Sequence, residues 1–177
     1  MLAVLFGQHD RIRDLLGDVR QESGEPRGEA FDGLRRLLAA HETAEEIVLR
    51  PVSVQIMPRD QVTARNQEER HIIGLLAELE RLDPLKAAFD LRFTPFEQLV
   101  AEHLSLEEAG EFPVIEAEVS ERERLTMGRW IDRALVLGPN RAHPVPAGHP
   151  TAQRATAPFT ALADHARDLF ERSRATW

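Results

Sequence analysis

The stretch HETAEEIVLRPV, from His41 to Val52, returns 62 residues later as HLSLEEAGEFPV, from His103 to Val114. At that offset His41 pairs with His103, Glu45 with Glu107, Glu46 with Glu108 and Pro51 with Pro113; upstream, Phe31 pairs with Phe93 and Leu37 with Leu99. The same step carries His9, in GQHDRI, to His71, in ERHIIG. An internal repeat of this size constrains the fold strongly, because self-similar units fold alike and bury their apolar faces against each other. Each unit reads as a helical hairpin, with a His on its first helix and His-x-x-x-Glu on its second.

The apolar spacing fills in the helices. Leu5, Ile12, Leu15, Leu16 and Val19 form one stripe, broken near residue 22 by ESGEPRG. Phe31, Leu34, Leu37, Leu38, His41, Ala44, Glu45 and Val48 share the face of a second helix that Pro51 is expected to end or kink. A third runs through Ile72, Leu75, Leu76 and Leu79 to Asp83-Pro84. The fourth is expected to open with Thr94 as cap, Pro95 at the first helical position and Glu97 closing a capping box, and to place Phe96, Leu99, Val100, His103, Leu106 and Glu107 on one face. SERERLTMGRWIDRAL follows with its own Ser-x-x-Glu start, and from about residue 138 a Pro- and Gly-rich stretch leads to a short amphipathic segment, FTALADHARDLFERSR. No strand pattern competes. The fold expected is all-α: an antiparallel up-down four-helix bundle over 1–119, with a further helix, a linker and a short C-terminal helix packed on it over 120–177.

Charge and residue usage narrow the chemistry. A net charge of -8, with a single Lys at Lys86, argues against nucleic acid. No apolar run approaches a membrane span, and LAVLF is too short for the core of a secretion signal, so a cytoplasmic protein without membrane partners is expected. The absence of Cys removes disulfides, thiol nucleophiles and thiolate metal sites together. Any metal must be held by nitrogen and oxygen.

Residues i and i+4 of a helix share a face one turn apart, so His41 with Glu45, and His103 with Glu107, each offer an imidazole and a carboxylate to one centre. One hairpin supplies three ligands, too few to enclose a pair of ions. Two hairpins bring His9, His41, His71, His103, Glu45 and Glu107 toward the bundle interior, where carboxylate-bridged metal sites are built. Such a set suits iron or manganese, with zinc a further option. A lone His-x-x-x-Glu is usually a surface pair; two in register, each preceded by an in-register His, are not. Glu42, Glu46, Glu68 and Glu108 are read as groups behind the ligands or on the surface, His143, His149 and His165 as solvated, and Trp130 and Trp177 as packing.

The whole pattern resembles the hemerythrin-like proteins that carry a bacterial His-His-Glu cation-binding motif. The matching pieces are a His on the first helix, His-x-x-x-Glu-Glu before Pro on the second, Glu-x-x-His on the third, and His-x-x-x-Glu-Glu before Phe-Pro on the fourth, over roughly residues 2 to 118. The resemblance implies two oxo- or hydroxo-bridged irons, one held by His9 and His41 and the other by His71 and His103, with Glu45 and Glu107 bridging. Oxygen-carrying hemerythrins look like a five-His set with His-x-x-x-His on the third helix; here Leu75 stands four residues after His71. That leaves a position for water, substrate or a carboxylate such as Glu42.

A non-haem di-iron protein that binds or turns over a small oxidant (dioxygen, hydrogen peroxide or nitric oxide) is the function expected, with catalase-like peroxide disproportionation the favoured reaction. Leu75, Leu76, Leu99 and Leu106 are expected to keep water from the site. No nucleotide or flavin fingerprint is present, so an electron donor would be external, and the chain is expected as a monomer or small homo-oligomer. The alternative is an iron- or redox-responsive sensor or interaction module without turnover. A ferritin-like oxidase fits poorly, since only Glu68-x-x-His71 has its Glu-x-x-His spacing.

Overall fold

A computed structural model of the chain describes residues 1–137, the last two by backbone alone. Every regular element among them is helical. The stretch from residue 138 onward, with the expected linker, the final helix, His143, His149, His165 and Trp177, lies outside the described residues.

The first helix, α1 (Leu2–Gln21), buries Leu5, His9, Ile12, Leu15, Leu16 and Val19 along one stripe. It stops at Glu22, whose backbone is extended, and Gly24 turns the chain back with a φ of 63°, a conformation that favours glycine. The second helix, α2 (Gly24–Ala44), does not end at Pro51. It passes through a π-helical turn (Glu45–Leu49) into α3 (Arg50–Ile56), with Pro51 in the first turn of α3. Proline has no N–H to give the carbonyl four residues back, and its ring crowds that carbonyl. The wider turn, closed by the Arg50 N–H on the Glu45 carbonyl, accommodates both facts and keeps the rod continuous.

The same device recurs at the repeat. After α4 (Arg59–Leu79), the rod α5 (Ala87–Leu106) runs through a second π-helical turn (Glu107–Glu111), closed by the Phe112 N–H on the Glu107 carbonyl, into α6 (Phe112–Glu118) with Pro113 in its first turn. The expected start of this helix at Thr94 is corrected. Helix α5 begins seven residues earlier and Pro95 lies inside it. Thr94 donates its hydroxyl back to the Asp90 carbonyl, 3.2 Å away, and Glu97 pairs with Arg20 at 3.2 Å. The physical reason is an aromatic cluster: Phe89 meets Phe31 edge-on at 4.8 Å and stacks on Phe93 at 5.3 Å, and all three are buried. Burying two phenyl rings contributes about 3–6 kcal/mol, which outweighs the roughly 3 kcal/mol of an internal proline.

α1 packs on α2 and α4 on α5, while α1–α5 and α2–α4 contacts close the ring. The result is the four-helix bundle of two tandem hairpins. One apolar cluster, from Ile12, Leu16, Leu34, Leu38, Ile72, Leu76, Phe96 and Leu104, fills one half of it. A second, from Leu5, Ala44, Val48, Leu49, Val52, Phe112 and Ile115, fills the other together with α7 (Glu121–Leu137), which adds Met127, Ile131 and Ala134. Ser120 caps α7 as its sequence indicates: its N–H donates to Glu123 at 3.0 Å and its Oγ accepts from the Glu123 N–H at 3.4 Å. Gly128 lets α7 approach the start of α1, since a Cβ there would stand 2.9 Å from the Met1 nitrogen.

Candidate metal centre

Between the two apolar clusters lies a layer of a different kind. Along α1, His9 falls between Leu5 and Ile12; along α2, His41 and Glu42 fall between Leu38 and Ala44; along α5, His103 lies beside Leu104. The π-helical turns carry Glu45 and Glu107. All six side chains are buried.

Ligand atoms of His9, His41, Glu45 and Glu107 lie within 4.8 Å of one another, and so do those of Glu42, Glu45 and His103. Glu45 belongs to both groups. Glu107 spans them as well: its Oε2 is 3.5 Å from His9 Nε2 and its Oε1 is 3.4 Å from His103 Nε2. His41 Nε2 stands 3.7 Å from Glu45 Oε1, and His103 Nε2 is 3.6 Å from Glu42 Oε1. The His9 and His41 rings meet edge to face at 4.9 Å.

Each imidazole uses its Nδ1 outward. His41 Nδ1–H donates to Gln8 Oε1 at 2.7 Å, and His9 Nδ1–H donates to Glu108 Oε1 at 2.8 Å, an oxygen that also accepts from Arg13 at 2.8 Å. His103 Nδ1 faces Glu68 Oε2 at 3.5 Å, and Glu68 is held by Arg65. Fixing the proton on Nδ1 leaves the Nε2 lone pair inward on all three rings, the tautomer a metal ligand needs.

Those three Nε2 atoms, and both oxygens of Glu42, Glu45 and Glu107, are buried with no hydrogen-bond partner. Buried polar atoms are rarely left unpaired, and nine at one place require a shared explanation. A pair of divalent cations supplies it, because imidazole nitrogen and carboxylate oxygen are the donors such ions take and the layer offers no sulfur. The electrostatics agree. Burial holds His9, His41 and His103 below the usual imidazole range, His103 at about 3, so the rings are neutral. Burial, with repulsion from Glu45 on both Glu42 and Glu107, pushes the acids up, Glu45 to about 7. For Glu108, burial pulls upward but the hydrogen bonds from Arg13 and His9 outweigh it, and its pKa is lowered.

The structure brings together five of the six expected ligands. His71 is not among them: it is exposed. Ile72, Leu76 and Leu79 set the inward face of α4, and the residue just before Ile72 is turned about 100° from it. The inward-leaning positions one turn earlier belong to Glu69 and Glu68, and two turns earlier to Arg65. The repeat alignment thus pairs His9 with a residue whose helix is rotated. Glu42, read from sequence as a group behind the ligands but also named for the position left open by Leu75, occupies the space beside His103 instead. Leu106, expected among the water-excluding residues, is also exposed, while Leu76 is buried and Leu75 and Leu99 are partly so.

Two further features escaped the sequence reading. Gln8 had no motif to mark it. Arg50, Glu111, Glu69 and Ser53 form a buried polar network beside the site: Arg50 Nη1 reaches the two Glu111 oxygens at 2.9 and 3.1 Å, its Nη2 pairs with Glu69, and Ser53 donates to Glu111. Arg50 ends the first π-helical turn and Glu111 lies in the second, so this network ties both carboxylate-bearing turns to α4. The signal available was a single Arg and Glu inside otherwise apolar faces.

Among the described residues no helix is long and apolar enough to cross a membrane. The family model for the hemerythrin HHE cation-binding domain matches residues 1–115. No curated protein and no solved structure matches the chain.

Proposed function

Because the chain belongs to the hemerythrin HHE cation-binding family, we propose that its buried layer holds two iron ions and lets them react with a small oxidant, with catalase-like disproportionation of hydrogen peroxide as the reaction. His9 and His41 are the imidazole ligands of one position and His103 of the other, and Glu45 and Glu107 are shared. The observation that carries this reading is the set of inward Nε2 atoms and unpartnered carboxylate oxygens.

When bound, a pair of irons supplies two electrons to an oxidant and takes them back from a reductant. For peroxide the balance closes without an external donor: one molecule gains two electrons and two protons to give two waters, and a second loses two of each to give dioxygen. The side chains do the rest. Gln8 and Glu108 hold the His41 and His9 rings with their lone pairs inward. Leu5, Ile12, Val48, Leu104 and Phe112, all buried, keep bulk water from the layer. Glu108 is half-buried and joined to Arg13, which puts a charged group at the solvent side of His9.

A second reading rests on α7, which packs directly against the first π-helical turn. A change at Glu45 would be felt there, which suits a sensor that releases or tightens α7 without turnover. Nitric oxide or dioxygen binding fits either reading.

Metal analysis with an optical spectrum, taken before and after peroxide and with oxygen evolution followed in parallel, tests the proposal. About two irons per chain with oxygen evolved supports the enzyme. Ferric bands without evolved oxygen favour the sensor, and protein that retains no iron after reconstitution overturns both.

A further inference from the structure

The sequence repeat would make the two ion positions alike, but the side chains do not. Resting on the two-ion reading above, we infer that the positions differ in donor chemistry, a nitrogen-rich one at His9 and His41 and a carboxylate-rich one at His103 and Glu42, and that the second takes Mn2+ when iron is limiting. The first group combines two imidazoles with Glu45 and Glu107. The second combines one imidazole with Glu42 and Glu45, and Glu107 Oε1 lies 3.4 Å from the same His103 nitrogen.

The asymmetry has a definite origin. At the repeat offset of 62, Glu42 corresponds to Leu104, a fully buried member of the apolar core, so nothing on the other hairpin duplicates this carboxylate. His71, which would have restored a second imidazole, is exposed. Glu42 is itself 4% exposed, both its oxygens lack a partner, and Oε1 stands 3.6 Å from His103 Nε2. It has been brought into the layer with no internal hydrogen bond to account for it.

Donor type then selects the ion. Affinity rises from Mn2+ to Fe2+ at any site, but imidazole nitrogen favours iron and the later metals, whereas carboxylate oxygen suits Mn2+. The preference for Fe2+ is therefore steeper at the two-imidazole position. With scarce iron and ample manganese, Fe2+ occupies that position and Mn2+ the other.

The experiment loads metal-free full-length chain anaerobically with one equivalent of Fe2+ and an excess of Mn2+, removes unbound ions, and reads metal content together with the Mn2+ electron paramagnetic resonance signal. One Fe and one Mn per chain, with the Mn2+ signal altered by the neighbouring Fe2+, is the result expected. Glu42→Gln keeps side-chain volume; it is expected to retain the iron and to weaken Mn2+ binding by more than the roughly 10- to 100-fold that loss of an outer partner costs. Circular dichroism of the metal-free variant separates this from misfolding, and Glu42→His, which restores an imidazole, is expected to raise the Fe2+ preference of the second position and so to erase the difference between the two positions, lowering the share of one-Fe, one-Mn protein.

A mixture of all-iron and all-manganese protein, or Glu42→Gln retaining both ions as tightly as the wild type, overturns this inference while leaving the two-ion reading intact. Retention of no ion of either kind overturns both.

Discussion

The Glu107 carboxylate turns Oε1 to His103 Nε2, 3.4 Å away, and its other oxygen to His9 Nε2 at 3.5 Å, although the two histidines stand on different hairpins. One side chain therefore connects both halves of the layer. Glu107→Gln preserves the volume but replaces an anionic oxygen with an amide nitrogen that does not ligate. Bound iron is expected to fall from about two per chain to about one or fewer, read by elemental analysis of reconstituted protein.

His71 gives the opposite expectation. It is exposed, outside both groups of ligand atoms, so His71→Ala should leave metal content and the optical spectrum unchanged and shift stability by no more than about 0.5 kcal/mol. His103→Ala, made beside it, should lose metal. A His71 variant that loses iron would restore the sequence-based ligand set.

The metal-free protein should respond to pH through Glu45. Its folded pKa is raised, from 4.5 to about 7, so the folded chain holds a proton that the unfolded chain has released across that window. The contribution is fully present below about pH 4.5 and is lost as pH rises through about 7. His103 acts in the other direction: held at about 3 against an ordinary 6.5, it costs stability as pH falls below 6.5. Urea unfolding in the presence of a chelator separates the two. Metal-free Glu45→Gln should match the wild type near pH 4.5 and be the more stable of the two at pH 8, because the amide cannot ionise.

Arg50 sits between Glu111 and Glu69, with all three buried. Removing the guanidinium leaves two buried carboxylates without their cation, a loss that costs about 3–5 kcal/mol. Arg50→Met should lower the melting temperature accordingly, whereas the volume-matched double change that also replaces Glu111 should recover part of the loss. A small effect from the single change would show that the network carries little stability.

Two Ser/Thr-x-x-Glu stretches look equivalent in sequence and differ in the fold. Ser120 caps α7, while Thr94 lies inside α5 and bonds back to Asp90. Ser120→Ala is expected to cost about 1 kcal/mol and Thr94→Ala to stay within about 0.5 kcal/mol, as measured by thermal or denaturant melts.

Much of this arrangement was legible in the chain. The apolar stripes through Leu5 to Val19 and Phe31 to Val48 specify helices and their inward faces, because a 3.6-residue period leaves little choice of which side to bury. The 62-residue repeat specified two hairpins, and His-x-x-x-Glu on each placed an imidazole and a carboxylate one turn apart whatever the neighbours. Local geometry sufficed for His41 with Glu45 and for His103 with Glu107.

What required the tertiary structure was every choice between adjacent residues on different helices. Neighbouring positions differ by about 100° around a helix, so a modest rotation of α4 decides that Glu69 and Ile72 face inward and His71 does not. On α2 the layer is wide enough to take both His41 and Glu42, which only the position of α5 could decide. The start of α5 depended on Phe31, more than fifty residues away in sequence, offering Phe89 a surface worth more than the proline costs. Sequence thus determined what is repeated along each rod, since that is set by bonds within a few residues. The tertiary structure decided which atoms meet across rods, because rotation and register between helices are fixed by the packing of distant side chains.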